Sequence, residues 1–134
     1  MMQNGLTELL GIEYPIIQAP MASAATPEMV VAASEAGALG SLGAAYMSPD
    51  EIRSSIHQIR RATSRPFQVN LFSPPEPCEL SDSDVGRAME PLRAIRRELD
   101  LTDPNEVPQF NDQFLAQLKV LLEENISIIG FHFG

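Results

Sequence analysis

The feature that most constrains this chain is a unit that occurs twice in its first 72 residues: a short apolar run, a proline-led helix start, then another apolar run. PIIQAPM, Pro15 to Met21, is bounded by prolines and reads as a buried strand. Thr26-Pro27-Glu28 follows, supplying an N-cap oxygen, a proline at the first helical position and an acid in the first turn. The pattern predicts a helix to about Ala36 that stops at Gly37. LGSLGAA, Leu39 to Ala45, is the next strand, built of small residues suited to close packing. Ser48-Pro49-Asp50-Glu51 repeats the helix start and places Glu at the capping-box position. Ile52, Ile56 and Ile59 give that helix one apolar stripe. After Arg65-Pro66, FQVNLF (Phe67 to Phe72) is a third strand. Strands alternating with capped helices imply a parallel sheet with right-handed crossovers.

The texture changes at Ser73. SPPEPCELSDSD, residues 73 to 84, is rich in proline and acids and reads as an exposed loop. Val85, Met89, Leu92 and Leu99 then recur at helical spacing, although Pro91 is expected to break or kink that helix. A second break at Thr102-Asp103-Pro104 precedes Asn111, an N-cap candidate. Phe114, Leu118 and Leu121 form an apolar stripe to about Glu124, and SIIGFHFG, residues 127 to 134, is the fourth strand. A third crossover this long commonly builds one side of an active site. Four parallel strands with three crossovers suit a small open α/β sheet, which the length favours, or the first half of a (β/α)8 barrel of about 250 residues.

Composition narrows the function classes. A formal charge of −9 argues against nucleic acid and anionic membranes as partners, so an anionic ligand must be held by local donors. No apolar run approaches the ~18 residues that span a bilayer. The start, MMQNGLTELLG, lacks a basic leader segment, and the single cysteine, Cys78, fits a reducing compartment. A cytoplasmic protein is expected.

In either architecture ligands sit at the carboxyl ends of the strands. That rule selects Gln18 to Met21, Ala44 to Tyr46, Asn70 to Phe72, and His132. Asn70 interrupts an apolar strand with an amide that can hold a phosphate or a heterocycle edge, and satisfying a neighbouring loop competes evenly with that role. His132, with Phe131 and Phe133 expected on the opposite face of its strand, offers a titratable imidazole. On residues alone a packed histidine is the commoner outcome. Met21 either packs or presents a polarizable face to a planar ring. His57 falls on the polar side of its helix with Arg53 and Arg60 and is expected to be a solvated surface residue. Carboxylates near Cys78 disfavour a thiolate nucleophile. Gly37, Gly40 and Gly43 do not make a dinucleotide fingerprint, and no metal-ligand spacing is present.

The ordered segments LLGIEYPIIQAPMA, TPEMVVAASEAGALGSLGA, SPDEI, RPFQVNLF and IIGFHFG resemble successive motifs of the nitronate monooxygenases, from about residue 6 onward. QAPM, PFxVNLF and FHFG together are specific. Flavin-dependent enoyl-thioester and quinone reductases are similar at the start, but tend to carry a Gly-Gly-Met-like turn where this chain has Ala19-Pro20-Met21.

The resemblance implies a (β/α)8 TIM barrel, with residues 1–134 as an N-terminal half of about four β/α units. It implies FMN bound at the strand ends, and oxidation of alkyl nitronates by O₂ to carbonyl compounds and nitrite. Carried over residue by residue, Ala19, Pro20 and Met21 would lie against the flavin, Asn70 would hydrogen-bond it, and His132 would stand at the flavin or substrate pocket. The family's catalytic Gly-Gly-His segment and main phosphate-binding glycines come later in sequence. An incomplete chain with little activity alone is therefore expected. A related NAD(P)H reductase, or a non-catalytic half-barrel associating with itself through open sheet edges, are the other readings.

Overall fold

The sheet expected from the repeat is present. A computed structural model describes residues 4–74, 81–101 and 113–133. In it, β1 (Gly40–Gly43), β2 (Phe67–Phe72) and β3 (Ile129–His132) form a parallel sheet in the order β1-β2-β3. The register sets Gly43 beside Asn70, Asn70 beside Gly130, and Phe72 beside His132. The helices are α1 (Gly5–Leu10), α2 (Pro27–Glu35), α3 (Pro49–Ala62), α4 (Asp82–Glu98) and α5 (Phe114–Glu123). By compactness the chain divides into Met1–Pro75 with Asp112–Gly134, and Glu76–Asn111. Among the described residues, no helix is long and apolar enough to cross a membrane.

Strand alternation divides the sheet into two chemically different faces. Leu42, Val69 and Leu71 point toward the helices and join Val30 of α2, Ile56 and Ile59 of α3, and Val120 and Leu121 of α5 in one core. Each such fully buried side chain contributes about 1.5–3 kcal/mol relative to an exposed one. The alternate residues, Ser41, Gly43, Gln68, Asn70, Phe72, Gly130 and His132, share the opposite face. Ser41 and Gln68 pair there, Gln68 Nε2 donating to Ser41 Oγ at 2.7 Å.

The helix starts form as the sequence dictates. Thr26 caps α2, and Ser48 with Glu51 makes a reciprocal box on α3, each followed by proline at the first helical position. Gly37 takes a φ of +87° after α2.

Three expectations need correction. Pro15 to Met21 is not a strand: it contributes a single parallel bridge, Ile17 to Leu39, because Pro15 and Pro20 have no N–H to give a ladder. Pro91 does not end its helix, and α4 runs through it from Asp82 to Glu98. The loop expected at residues 73 to 84 gives way to helix at its end, since Ser81 and Asp84 form a capping box. His57 is exposed as expected, and its Nε2 also lies 3.1 Å from Glu124. Also missed was α1, whose capping box joins Asn4 to Thr7. Asn111 and Cys78 lie outside the described residues. No residue of α4 is buried, and its surface carries Arg93–Glu90 and Arg87–Asp84 pairs.

The α3–α5 contact is fastened by charge. Arg53 Nη1 at 2.5 Å, His57 Nε2 at 3.1 Å and Arg60 Nη1 at 3.2 Å converge on Glu124, whose side chain is only 12% exposed. Burial pushes the Glu124 carboxyl up, but hydrogen bonds from Arg53 and His57 outweigh it and hold the group below the usual glutamate value. A carboxyl depressed in the folded state adds stability above about pH 4.3, lost as pH falls through the depressed value. Glu124→Gln should therefore lower the urea midpoint near neutrality and flatten its fall in acid. An acid limb identical to that of the unsubstituted chain would contradict this role.

Candidate functional site

The site is assembled where the chain leaves the sheet at the carboxyl ends of the strands. The first departure is at Gln18. Its backbone N–H donates to Leu39 O at 2.9 Å, the last bond made by the bridge segment to that strand's backbone. Its side chain then acts as a substitute peptide group. Gln18 Oε1 accepts the Ser41 N–H at 2.9 Å, while Nε2 donates to Ser41 O at 3.2 Å. The Ser41 backbone is thereby satisfied where Pro20 has no donor to offer.

Ala19, Pro20 and Met21 are thus free to swing over the sheet. The turn is closed by Ala25 N donating to Met21 O at 2.8 Å, with Ser23 in the left-handed region at φ +63°. Gly43 makes this approach possible: a Cβ there would lie 2.8 Å from the Met21 carbonyl carbon and 2.9 Å from the Ala22 nitrogen. The Met21 side chain remains exposed. The register then places this turn beside Asn70, the neighbour of Gly43.

Asn70 and His132 meet directly. His132 Nδ1 lies 3.2 Å from Asn70 Oδ1. An amide oxygen only accepts, so in this contact Nδ1 is the donor. Asn70 as a residue is only 3% exposed, but its Nδ2 is not among the buried side-chain atoms that lack a partner. Gly130 is required here as well, because a Cβ on it would stand 2.9 Å from that nitrogen.

Aromatic rings frame the pair. Tyr46 and Phe133 each contact Phe72 edge-on, with centroids 5.6 and 5.0 Å apart, and Phe72 lies 6.2 Å from the His132 ring. Phe131 packs as expected on the helix side, against Phe114. Phe133 does not share that face. β3 ends at His132, and Phe133 turns into the left-handed region at φ +63°, which brings its ring to Phe72.

The selected residues therefore collect on one rim: the Ala19–Met21 turn over Gly43, Asn70 with His132, and Tyr46 with Phe72. Sequence reasoning missed the residues that hold them, above all Gln117 of α5. Its Nε2 donates to Met47 O at 2.8 Å and approaches Ala45 O at 3.3 Å and Ala44 O at 3.4 Å. The available signal was a glutamine inside the stripe Phe114, Leu118, Leu121, where a polar residue must find a buried partner.

Comparison with known proteins bears on the family and the fold. The nitronate monooxygenase family model matches residues 3–134. The chain belongs to that family. A probable nitronate monooxygenase of Staphylococcus aureus (strain Newman) is 35% identical over 132 residues, which is 98% of this chain and 37% of that protein. A nitroalkane oxidase from Streptomyces ansochromogenes superposes with a TM-score of 0.78 at 34% identity, covering 98% of this chain and 36% of that one. FabK from Thermotoga maritima superposes at 0.70 with 28% identity, covering 100% and 32%. The chain thus spans about a third of the length of these relatives. Its fold is part of a (β/α)8 barrel, represented by the three parallel strands β1 to β3 and the single bridge from Ile17 to Leu39. The polar face of the sheet is the one that points into such a barrel.

Proposed function

We propose that these residues form the N-terminal part of an FMN-dependent enzyme that oxidises alkyl nitronates with O₂ to carbonyl compounds and nitrite. The observation that carries the reading is the Asn70–His132 pair beside the Met21 turn, at the strand ends of a chain in the nitronate monooxygenase family. The residues present fit a flavin ring. Met21 offers an exposed polarizable surface, and Asn70 Nδ2 is an amide donor on the same rim. Bound FMN would supply the electron transfer with the nitronate and O₂.

The protein's own part is placement. Ala19, Pro20 and Met21 bear on the ring face, Asn70 donates to a ring acceptor, and His132, aligned through Nδ1, offers Nε2 to the ring edge or to substrate. The same proposal includes a cytoplasmic site of action.

The resemblance to the family implies a catalytic Gly-Gly-His segment and phosphate-binding glycines that residues 1–134 do not carry, and the chain spans about a third of its relatives' length. The 134 residues alone should therefore bind FMN more weakly than micromolar and release little nitrite from a nitronate. Flavin fluorescence titration checks this, and a micromolar dissociation constant would overturn it. Ala19-Pro20, in place of a Gly-Gly turn, favours nitronate oxidation over the NAD(P)H reductase reading. Nitrite release against NADH consumption by the assembled enzyme separates the two.

A further inference from the structure

Gln117 lies 70 residues from the loop it touches, and the catalytic reading gives it no role. We infer that Gln117 is a positioning residue. Its buried carboxamide holds the Ala44–Met47 loop in place and thereby sets Tyr46 as one wall of the rim. The purpose assigned to the wall rests on the flavin-site reading, whereas the geometry does not.

The loop has few other ties. It runs from the end of β1 to the Ser48 cap of α3. Its own backbone makes one turn bond, Met47 N to Ala44 O at 3.0 Å, and Ala44 N donates to Asn70 O at 2.9 Å. Three of its carbonyl oxygens converge on Gln117 Nε2, a group with two hydrogens, and the Gln117 residue is only 4% exposed. Ala44 O also accepts from Met47 N, whereas the part-buried Ala45 and Met47 carbonyls take their side-chain donor from Gln117, so the loop conformation is stabilised from α5. Tyr46 sits among these carbonyls yet is 72% exposed, with its ring laid edge-on to Phe72, two residues from Asn70 on the same face. Across a cleft of about 320 Å³ from Tyr46 and Met47 stand Ala22 and Ser23, which follow the Met21 turn. Moving the loop therefore moves one wall of that cleft and the ring next to the Asn70–His132 pair.

Helix α5 has its own anchors in Val120, Leu121 and the Glu124 ion cluster, so the amide can be changed while the helix stays docked. Gln117→Met keeps the length of the side chain and removes the donors. Gln117→Glu places a carboxylate against carbonyls at high pH, and regains one O–H donor on protonation. Its pKa is raised by the burial and by those carbonyl dipoles.

The test is amide hydrogen exchange on the flavin-free chain, read as protection factors, with the near-ultraviolet tyrosine circular dichroism, to which Tyr46 and Tyr14 both contribute, as a second readout. Met47 protection should fall roughly tenfold in Gln117→Met at any pH, the scale of one or two net hydrogen bonds. In Gln117→Glu it should fall at about pH 8 and recover toward about pH 5, since only the protonated acid donates. Unchanged Met47 protection and an unchanged tyrosine signal in both variants would overturn the inference. So would an equal loss at Val120 and Leu121, which would make Gln117 a support of α5 alone. Because no flavin enters the assay, failure of the flavin reading would leave this result standing.

Discussion

Gly40→Ala is expected to lower the stability of the chain by about 3 kcal/mol or more, at the top of the range for overpacked cores. The added Cβ would stand 2.2 Å from the Val30 carbonyl oxygen and 2.7 Å from Ser34 Oγ. The first of these is helix backbone, which cannot rotate away, so α2 must lift from β1. Lifting it also strains a buried hydroxyl that accepts from Gly40 N at 3.2 Å and donates to Pro66 O at 3.0 Å. Val30 would leave its place in the core at the same time. The urea midpoint should fall with the m-value unchanged, and an unmoved midpoint would show that α2 does not lie this close to the strand.

Gly130→Ala should do the opposite: little to stability, much to the site. Its Cβ would meet Asn70 Nδ2 at 2.9 Å and Gln68 Oε1 at 3.2 Å, both ends of side chains that can swing aside. The cost to the fold should stay within about 1 kcal/mol, the lower end of the overpacking range. The Asn70 amide, however, can no longer hold both His132 and a ligand. Flavin-induced shifts of the Asn70 side-chain amide and of the His132 imidazole should disappear, while the urea midpoint moves little. Shifts of undiminished size in Gly130→Ala would remove Asn70 from the ligand site.

These two glycines also mark what a sequence can and cannot announce. Local signals were legible where short-range chemistry decides: Thr26-Pro27 and Ser48-Pro49 start α2 and α3 as read, and Phe67 to Phe72 is a strand as read. Asn70 and His132, both at carboxyl ends of strands, lie 3.2 Å apart. Reading failed where one local preference is overridden by another. Pro91 remains inside α4, which is capped by the Ser81–Asp84 box. At Pro20 the backbone ladder gives way to the Gln18 side chain. Long-range holders were illegible for a different reason. Gln117 meets its partner carbonyls only because β1, α3 and α5 are packed together, and the backbone of Met47 carries no mark in the sequence. The same holds for Glu124, whose cations come from α3.

The central claim, that the polar rim at the carboxyl ends of the strands is a flavin surface, is tested most directly by adding FMN to the isotopically labelled chain and mapping the resonances that move. Met21, Asn70 and His132 should shift together along one binding curve, with Tyr46 following. Shifts gathered instead at the amino ends of the strands, around the cleft lined by Arg60, Arg65 and Ser127, or no shift at all at millimolar flavin, would contradict it.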